Sequence, residues 1–344
     1  MRLIEKIWFE RHSAQYLFLP LLLPFSLLFW LLSKIRKLSY YFGFKQTKQL
    51  NCPVIVVGNI GVGGNGKTPV VIYLVEQFQS KGMKVGVISR GYGGEAQHYP
   101  YILTDMSTAE HSGDEPLLIY RRCKVPVAVG PDRVAAANCL IDLGCEIIIS
   151  DDGLQHYALN RDYEICVIDS KRLFGNGFLL PSGPLREGIS RLYKVNHIIF
   201  NGQLHCDALI DKIKSMTVWQ NMILQGTQVC NLLTGESMAL TDFVKQNPDV
   251  NAIAGIGDPS RFFKYLQTLG FSLKQQKGFD DHQNYSFEKL TGFSNKIPLL
   301  MTEKDAVKCL EFTKKHWWYI PVSAEFIERD KNSLVADIMK RLNK

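Results

Sequence analysis

Eight consecutive residues, Gly61-Val62-Gly63-Gly64-Asn65-Gly66-Lys67-Thr68, are of the types needed to hold a polyphosphate. The glycines let backbone N–H groups turn inward on phosphate oxygens. Lys67 has the reach for the terminal phosphates, and the Thr68 hydroxyl can ligate Mg2+. A second cluster, Asp151-Asp152-Gly-Leu-Gln155-His156, ends the apolar run Glu146–Ser150. Carboxylates at the carboxyl end of a buried strand sit where open α/β sheets bind ligands. Two adjacent ones repel unless a cation lies between them and the phosphates. The two clusters together predict nucleotide chemistry with Mg2+ on Asp151 or Asp152.

Other strings are less specific by themselves. In Ser112-Gly-Asp114-Glu115-Pro116 and Gly130-Pro-Asp132-Arg133, the aspartates read as helix N-caps or turn residues. Arg133 reads as a solvated helix arginine, with phosphate as its alternative partner. His282, in Phe279-Asp-Asp281-His282-Gln-Asn-Tyr285, reads as structural, and Gly255-Ile-Gly257-Asp-Pro as a tight turn between strand and helix. Thr302-Glu-Lys304-Asp305 has its lysine one place late for a guanine-reading motif, which argues against a GTPase.

These residues need a scaffold, and the pattern supplies one. Strand Val54–Val57 precedes the glycine loop, and a helix over Pro69–Ser80 follows it. Strands at Lys84–Ser89, Tyr101–Thr104, Val125–Val129, Glu146–Ser150 and Tyr163–Asp169 alternate with helical segments such as Asp132–Leu143. That alternation predicts an α/β fold with a parallel sheet covered by helices on both faces. A Gly/Pro/Arg-rich stretch from Phe174 to Ile189 interrupts it. A second series then includes strands at His197–Phe200, Met222–Leu233, Asn251–Ile256, Ile297–Met301 and Trp318–Val322, and helices at Pro259–Leu269 and Ser333–Asn343.

The N-terminus is of a different kind. Ser13–Ser33 carries no charge over 21 residues and is apolar on every side, long enough to span a bilayer. No small-residue cleavage site follows it, which argues against a signal peptide. Arg2, Lys6 and Arg11 precede it, and Lys34, Arg36 and Lys37 follow. The first fifty residues hold +6 of the chain's net +7. With both flanks basic and Pro20 and Pro24 inside, a bent hairpin or an in-plane helix among anionic headgroups is expected ahead of a true span. A body close to neutral excludes general nucleic-acid binding. The eight cysteines form no C-x-x-C pair and read as buried reduced thiols of a cytosolic protein. A phosphate cradle, a second domain and a membrane foot in 344 residues point to a kinase acting on an amphiphile. A membrane-associated P-loop ATPase regulated by a protein partner is the alternative.

The chain also resembles the lipid A 4′-kinases, the tetraacyldisaccharide 4′-kinase family. The resemblance rests on Val57-Gly-Asn-Ile-Gly-Val-Gly-Gly-Asn-Gly-Lys-Thr-Pro69, Ser89-Arg90-Gly-Tyr-Gly-Gly94, Ser112–Pro116, Gly130–Arg133, Asp151–His156, Leu180-Pro-Ser-Gly-Pro-Leu-Arg-Glu187, Asp281-His282 and Thr302–Asp305, in that order. It implies two α/β/α domains, the first P-loop NTPase-like, joined by a two-stranded β linker. Residues 1–40 would be the membrane segment, 41–170 the kinase core and 178–315 the second domain. Residues 165–177 and 316–327 would form the linker, with 328–344 returning to the core. The implied reaction moves the ATP γ-phosphate to the 4′-hydroxyl of a tetraacylated glucosamine disaccharide 1-phosphate, at the cytoplasmic face of a Gram-negative inner membrane. No nucleic acid and no obligate protein partner is implied. Asp114 would act as base, supported by His282, with Lys67 and Arg133 stabilising charge. Thr68, Asp151, Asp152 and Glu115 would lie around Mg2+, and Gln155, His156, Glu187 and Arg90 toward the acceptor.

Overall fold

The computed structural model describes residues 3–10, 12–204, 208–326 and 333–342. Arg2, Arg11, Cys206 and residues 327–332 and 343–344 of the expected linker and terminal segment lie outside them. Two sheets organise the chain. The first contains β1 (Val54–Gly58), β2 (Val85–Ser89), β3 (Tyr101–Ile102), β4 (Val127–Val129), β5 (Ile147–Asp151), β6 (Tyr163–Asp169), β7 (His197–Asn201) and β8 (Val218–Gln225). The second contains β9 (Gln228–Asn231), β10 (Ser237–Ala239), β11 (Asp249–Ala254), β12 (Ser272–Gly278), β13 (Leu299–Thr302) and β14 (Trp317–Ile320). The last strand, β15 (Ser323–Phe326), rejoins the first sheet.

The first sheet runs β15-β8-β7-β6-β1-β5-β2-β4-β3, parallel except at its two edge strands. The second runs β10-β9-β14-β13-β11-β12, with β11 to β14 parallel. Strands β1, β2, β5 and β6 are buried along their whole length, as expected where helices cover both faces. One face of the first sheet packs on the Lys67–Gln79 helix through Val70, Val71, Leu74 and Phe78. The Ser333–Leu342 helix adds Leu334, Val335 and Ile338 to that same core.

The domain division read from the sequence differs from this arrangement. Residues 165–169 are a central strand rather than a linker, and 197–225 supply two more strands of the first sheet. The expected strand Met222–Leu233 is two strands that change sheets at Gly226-Thr227. The return crossing is at Pro321-Val322, so β8–β15 and β9–β14 are antiparallel pairs on either side of it. A Cβ on Gly226 would lie 2.5 Å from the Ile320 side chain, so glycine permits the crossing. The Gly/Pro-rich stretch that suggested a linker is a loop folded back on the first body.

The apolar segment is one unbroken helix, Gln15–Tyr41, which contains both prolines. The hairpin expectation fails: the helix runs on through Pro20 and Pro24, which lie four residues apart on an exposed side. Among the described residues all seven cysteines are free, five of them buried.

Candidate active site

The glycine loop leaves β1 and enters the helix at Lys67. Gly66 has φ 90°, and a Cβ there would come within 2.6 Å of the Asn201 amide, so the turn requires glycine. Asn201 in turn donates to the Asn65 carbonyl at 3.1 Å. The Lys67 ammonium lies 3.7 Å from Asp152 Oδ1.

Strand β5 pairs with β1 in a register that puts Asp151 beside Val57. Asp151 is 1% exposed, and neither carboxylate oxygen has a hydrogen-bond partner. Burial, with Glu115 and Asp152 nearby, pushes its carboxyl up to about 7 against the pull of Lys67 and Arg133. Such an unpaired buried carboxylate is costly unless a cation meets it. Asp152 is held low. Burial opposes that, but Lys67 and an Arg186 ion pair at 2.8 Å outweigh it. No group of three or more His, Cys, Asp or Glu among the described residues could hold a metal alone. Mg2+ does not need one, because it keeps waters and phosphate oxygens beside one or two carboxylates. The donors here, Asp151 with the Thr68 hydroxyl, suit that ion.

Arg133 is not the solvated helix arginine expected. It is 4% exposed and donates to Ser150 Oγ at 2.9 Å and to the Asp152 carbonyl at 3.0 Å. It braces the acidic strand end from beneath. Asp132 is the expected N-cap, accepting from the Val134 and Ala135 N–H groups.

The loop Ser89–Gly94 lies backbone to backbone on Ser112-Gly113. A Cβ on Gly94 would sit 2.5 Å from the Gly113 nitrogen. That packing seats Asp114 at the first turn of the Asp114–Cys123 helix, 5% exposed. From the second body, His282 (φ 59°) brings Nδ1 to 3.0 Å from Asp114 Oδ1. The Glu115 N–H also donates to Oδ1, at 2.9 Å. Oδ2 has no hydrogen-bond partner, with Lys308 at 3.6 Å and Lys304 at 3.8 Å. Burial pushes the Asp114 carboxyl up, but the His282 bond and the two lysines outweigh it and hold it at about 2. For His282, burial works downward, and the bond to Asp114 reverses it and raises the imidazole. The Tyr92 ring meets the imidazole edge to face at 5.0 Å. A cleft lined by Tyr92, Gly93, Asp114, His282, Asn284 and Lys308 opens beside the pair.

The segment Leu179–Glu187 is a strap between the glycine loop and the apolar helix. The Val62 N–H donates to the Pro184 carbonyl at 2.9 Å, and the Arg186 N–H to that of Ile60 at 2.7 Å. On its outer side Ser26, the buried residue of the long helix, donates to Ser182 Oγ at 2.7 Å and accepts from the Ser182 N–H at 3.0 Å. Glu187 accepts from Gln155 at 2.9 Å and from the Tyr157 hydroxyl, and stands 3.9 Å from Lys37. Gln155 and Glu187 thus come together as a brace, and Gln155 also donates to the Asn59 carbonyl at 2.9 Å. His156 has its Nε2 buried and unpaired, and burial with nearby Arg133, Arg161 and Arg36 lowers the ring to about 4. Arg90 is exposed.

Residues 18–343 match the family model described as tetraacyldisaccharide-1-P 4'-kinase. The chain belongs to that family. A tetraacyldisaccharide 4'-kinase of Colwellia psychrerythraea is 56% identical over 335 residues, covering 97% of this chain and 96% of the relative. One from Vibrio cholerae serotype O1 is 48% identical over 336 residues, covering 97% and 96%. The crystal structure of an "apo" form LpxK from Aquifex aeolicus, in complex with ATP, superposes with a TM-score of 0.76 at 28% identity. That match covers 93% of this chain and 98% of that one. The chain is accordingly a kinase of lipid A biosynthesis that acts on a tetraacylated disaccharide.

Three charged groups of this kinase site were not legible as such in the sequence. Lys304 and Lys308 flank Asp114; Lys304 was visible just within Thr302–Asp305, a string rejected as a guanine reader and kept for the resemblance with no role assigned to its lysine. Arg186 on Asp152 was visible just as part of a longer string.

Proposed function

We propose that Asp114 is the base of the transfer and that the ATP γ-phosphate passes to the 4′-hydroxyl of a tetraacylated glucosamine disaccharide 1-phosphate. The observation that carries this reading is the Asp114–His282 pair, whose remaining oxygen, Oδ2, accepts no hydrogen bond and lies 3.6 Å from Lys308 and 3.8 Å from Lys304. As the acceptor oxygen attacks, its proton moves to Asp114 Oδ2. The imidazole on Oδ1 fixes the carboxylate plane and takes up part of the charge change. Lys67 and the loop N–H groups hold the phosphates, and catalysis is mainly positioning and charge neutralisation. Thr68 and Asp151 would hold Mg2+, with Asp152 kept on Lys67 and Arg186; when bound, the ion offsets charge on the phosphate oxygens.

The Gln15–Tyr41 helix supports placing the reaction at a lipid surface. Tyr16, Leu17, Leu21, Leu27 and Leu28 are each more than half exposed. Such a surface is stable against acyl chains rather than water. Lys34, Arg36 and Lys37 beside it favour anionic headgroups. We place it on the cytoplasmic face of the inner membrane, where ATP is available.

The test is incubation of the full chain in mixed micelles with ATP, Mg2+ and a tetraacyldisaccharide 1-phosphate, followed by mass spectrometry. The expected product is heavier by one phosphate. ATP hydrolysis without a phosphorylated lipid would overturn the reading.

A further inference from the structure

The reaction scheme leaves Thr302-Glu-Lys-Asp305 idle, yet these residues sit where the second body meets the first. The Thr302 hydroxyl caps the turn by accepting from the Asp305 N–H. Asp305 is fully buried and accepts from the Gly255 N–H at 3.0 Å, the Tyr285 hydroxyl at 2.7 Å and the Thr302 hydroxyl at 2.6 Å. With Asp305 pinned, the two residues before it are aimed out of the second body.

Both reach one helix of the first body, Asp114–Cys123. Glu303 takes Arg122 at 2.9 Å, and Lys304 takes Glu115 at 2.9 Å. Glu115 and Arg122 are seven residues apart, about two turns along the same side. Arg122 also donates to the Val322 carbonyl at 2.8 Å and to Ser323 Oγ, at the point where the chain recrosses between sheets. Lys304 holds Asp281 at 2.9 Å as well, and stands 3.5 Å from His282 Nε2. Its carboxylate neighbours come from both bodies: Glu115 and Asp114 from one, Asp281 from the other. Without the ammonium, these charges would repel across the gap that the Asp114–His282 bond must bridge. Ion pairs of this kind add little net stability, and what they supply is register.

We propose that the Thr302–Asp305 turn is a two-point latch between the bodies, and that Lys304 is the positioning residue that keeps Asp114 and His282 at bonding distance. The proposal rests on reading Asp114 as the base. Glu303–Arg122 fixes the side toward the strand crossing, and Lys304–Glu115 fixes the side toward the site.

The test uses the full chain in micelles with Lys304→Met, Lys304→Arg, Arg122→Glu, Glu303→Arg and the Arg122→Glu/Glu303→Arg pair. For Lys304→Met, kcat should fall about 100-fold, the loss typical of a base misplaced by about 1 Å. The ATP KM should stay within about twofold, because Lys304 makes no contact with the glycine loop. Lys304→Arg should recover at least about a tenth of the wild-type rate, because it keeps the charge. The paired swap should exceed both of its single variants by at least about threefold, as coupled partners do. Hydrogen–deuterium exchange should rise at residues 113–117 and 280–284 in Lys304→Met and stay unchanged in β1 and β5. A Lys304→Met enzyme within about threefold of wild-type kcat, or a loss confined to the ATP KM, would overturn the latch. So would a swap no better than its single variants. If Lys304→Met does not fold, Lys304→Arg and the swap decide. Wild-type chain that makes no phosphorylated lipid would overturn the functional reading instead, and the exchange experiment would still judge the latch.

Discussion

Asp114 and His282 stand 168 positions apart in the chain and 3.0 Å apart in the structure, so a double-mutant cycle can ask whether they act as one unit. Asp114→Ala removes the proton acceptor, a loss of about 10²–10⁴ in kcat, or roughly 3–5 kcal/mol at 1.4 kcal/mol per decade. His282→Ala is milder. Oδ1 keeps its second donor, the Glu115 N–H at 2.9 Å, so the carboxylate loses one of its two hydrogen bonds. Misplacement on that scale predicts about 10–100-fold, roughly 1.4–2.7 kcal/mol. In the double variant nothing remains for His282 to orient, so kcat should match that of Asp114→Ala alone. The coupling energy then equals the whole His282 effect, roughly 1.4–2.7 kcal/mol. The assay is the initial rate of labelled γ-phosphate transfer to micellar lipid at saturating ATP, with ATP affinity measured separately and expected to hold. Losses that multiply, with coupling under about 0.5 kcal/mol, would refute the pairing and return His282 to a structural role.

Asp151→Asn should abolish transfer and yet stabilise the protein in chelator. The carboxyl rises from 3.8 to about 7, which corresponds to on the order of 4 kcal/mol; its stability contribution is full below pH 3.8 and is lost as pH rises through 7. The gain in Tm should therefore be larger at pH 8 than at pH 6 by scanning calorimetry, and equal gains would contradict it. His197 is fully buried, and burial lowers its imidazole to about 4. It stabilises above pH 6.5 and loses that as pH falls toward 4, so His197→Gln should flatten the acid side of a Tm–pH curve. Leu27→Asp with Leu31→Asp, both on the exposed helix surface, should cut sedimentation with anionic vesicles at least about tenfold while Tm holds. Unchanged sedimentation would place the membrane contact elsewhere.

The glycine loop, the acidic strand end and the apolar helix were legible in the sequence because each is a local device. The φ of 90° at Gly66, the cap made by Asp132 and the charge-free run within the Gln15–Tyr41 helix depend on neighbours within a few residues. Motif order carried the family, and through it Asp114 and His282, although neither residue by itself signalled chemistry. Only the tertiary structure decided that Arg133 braces β5, that Gln155 meets Glu187, and that Ser26 fastens the long helix to the strap. It also moved the change of sheet from the Gly/Pro-rich stretch to Gly226. There, two strands pass close enough that a side chain would clash. Above all it surrounded Asp114 with His282, Lys304 and Lys308 from the second body. Charges set the behaviour of that carboxylate by distance through space, and those distances arise only when residues far apart in the chain are packed together.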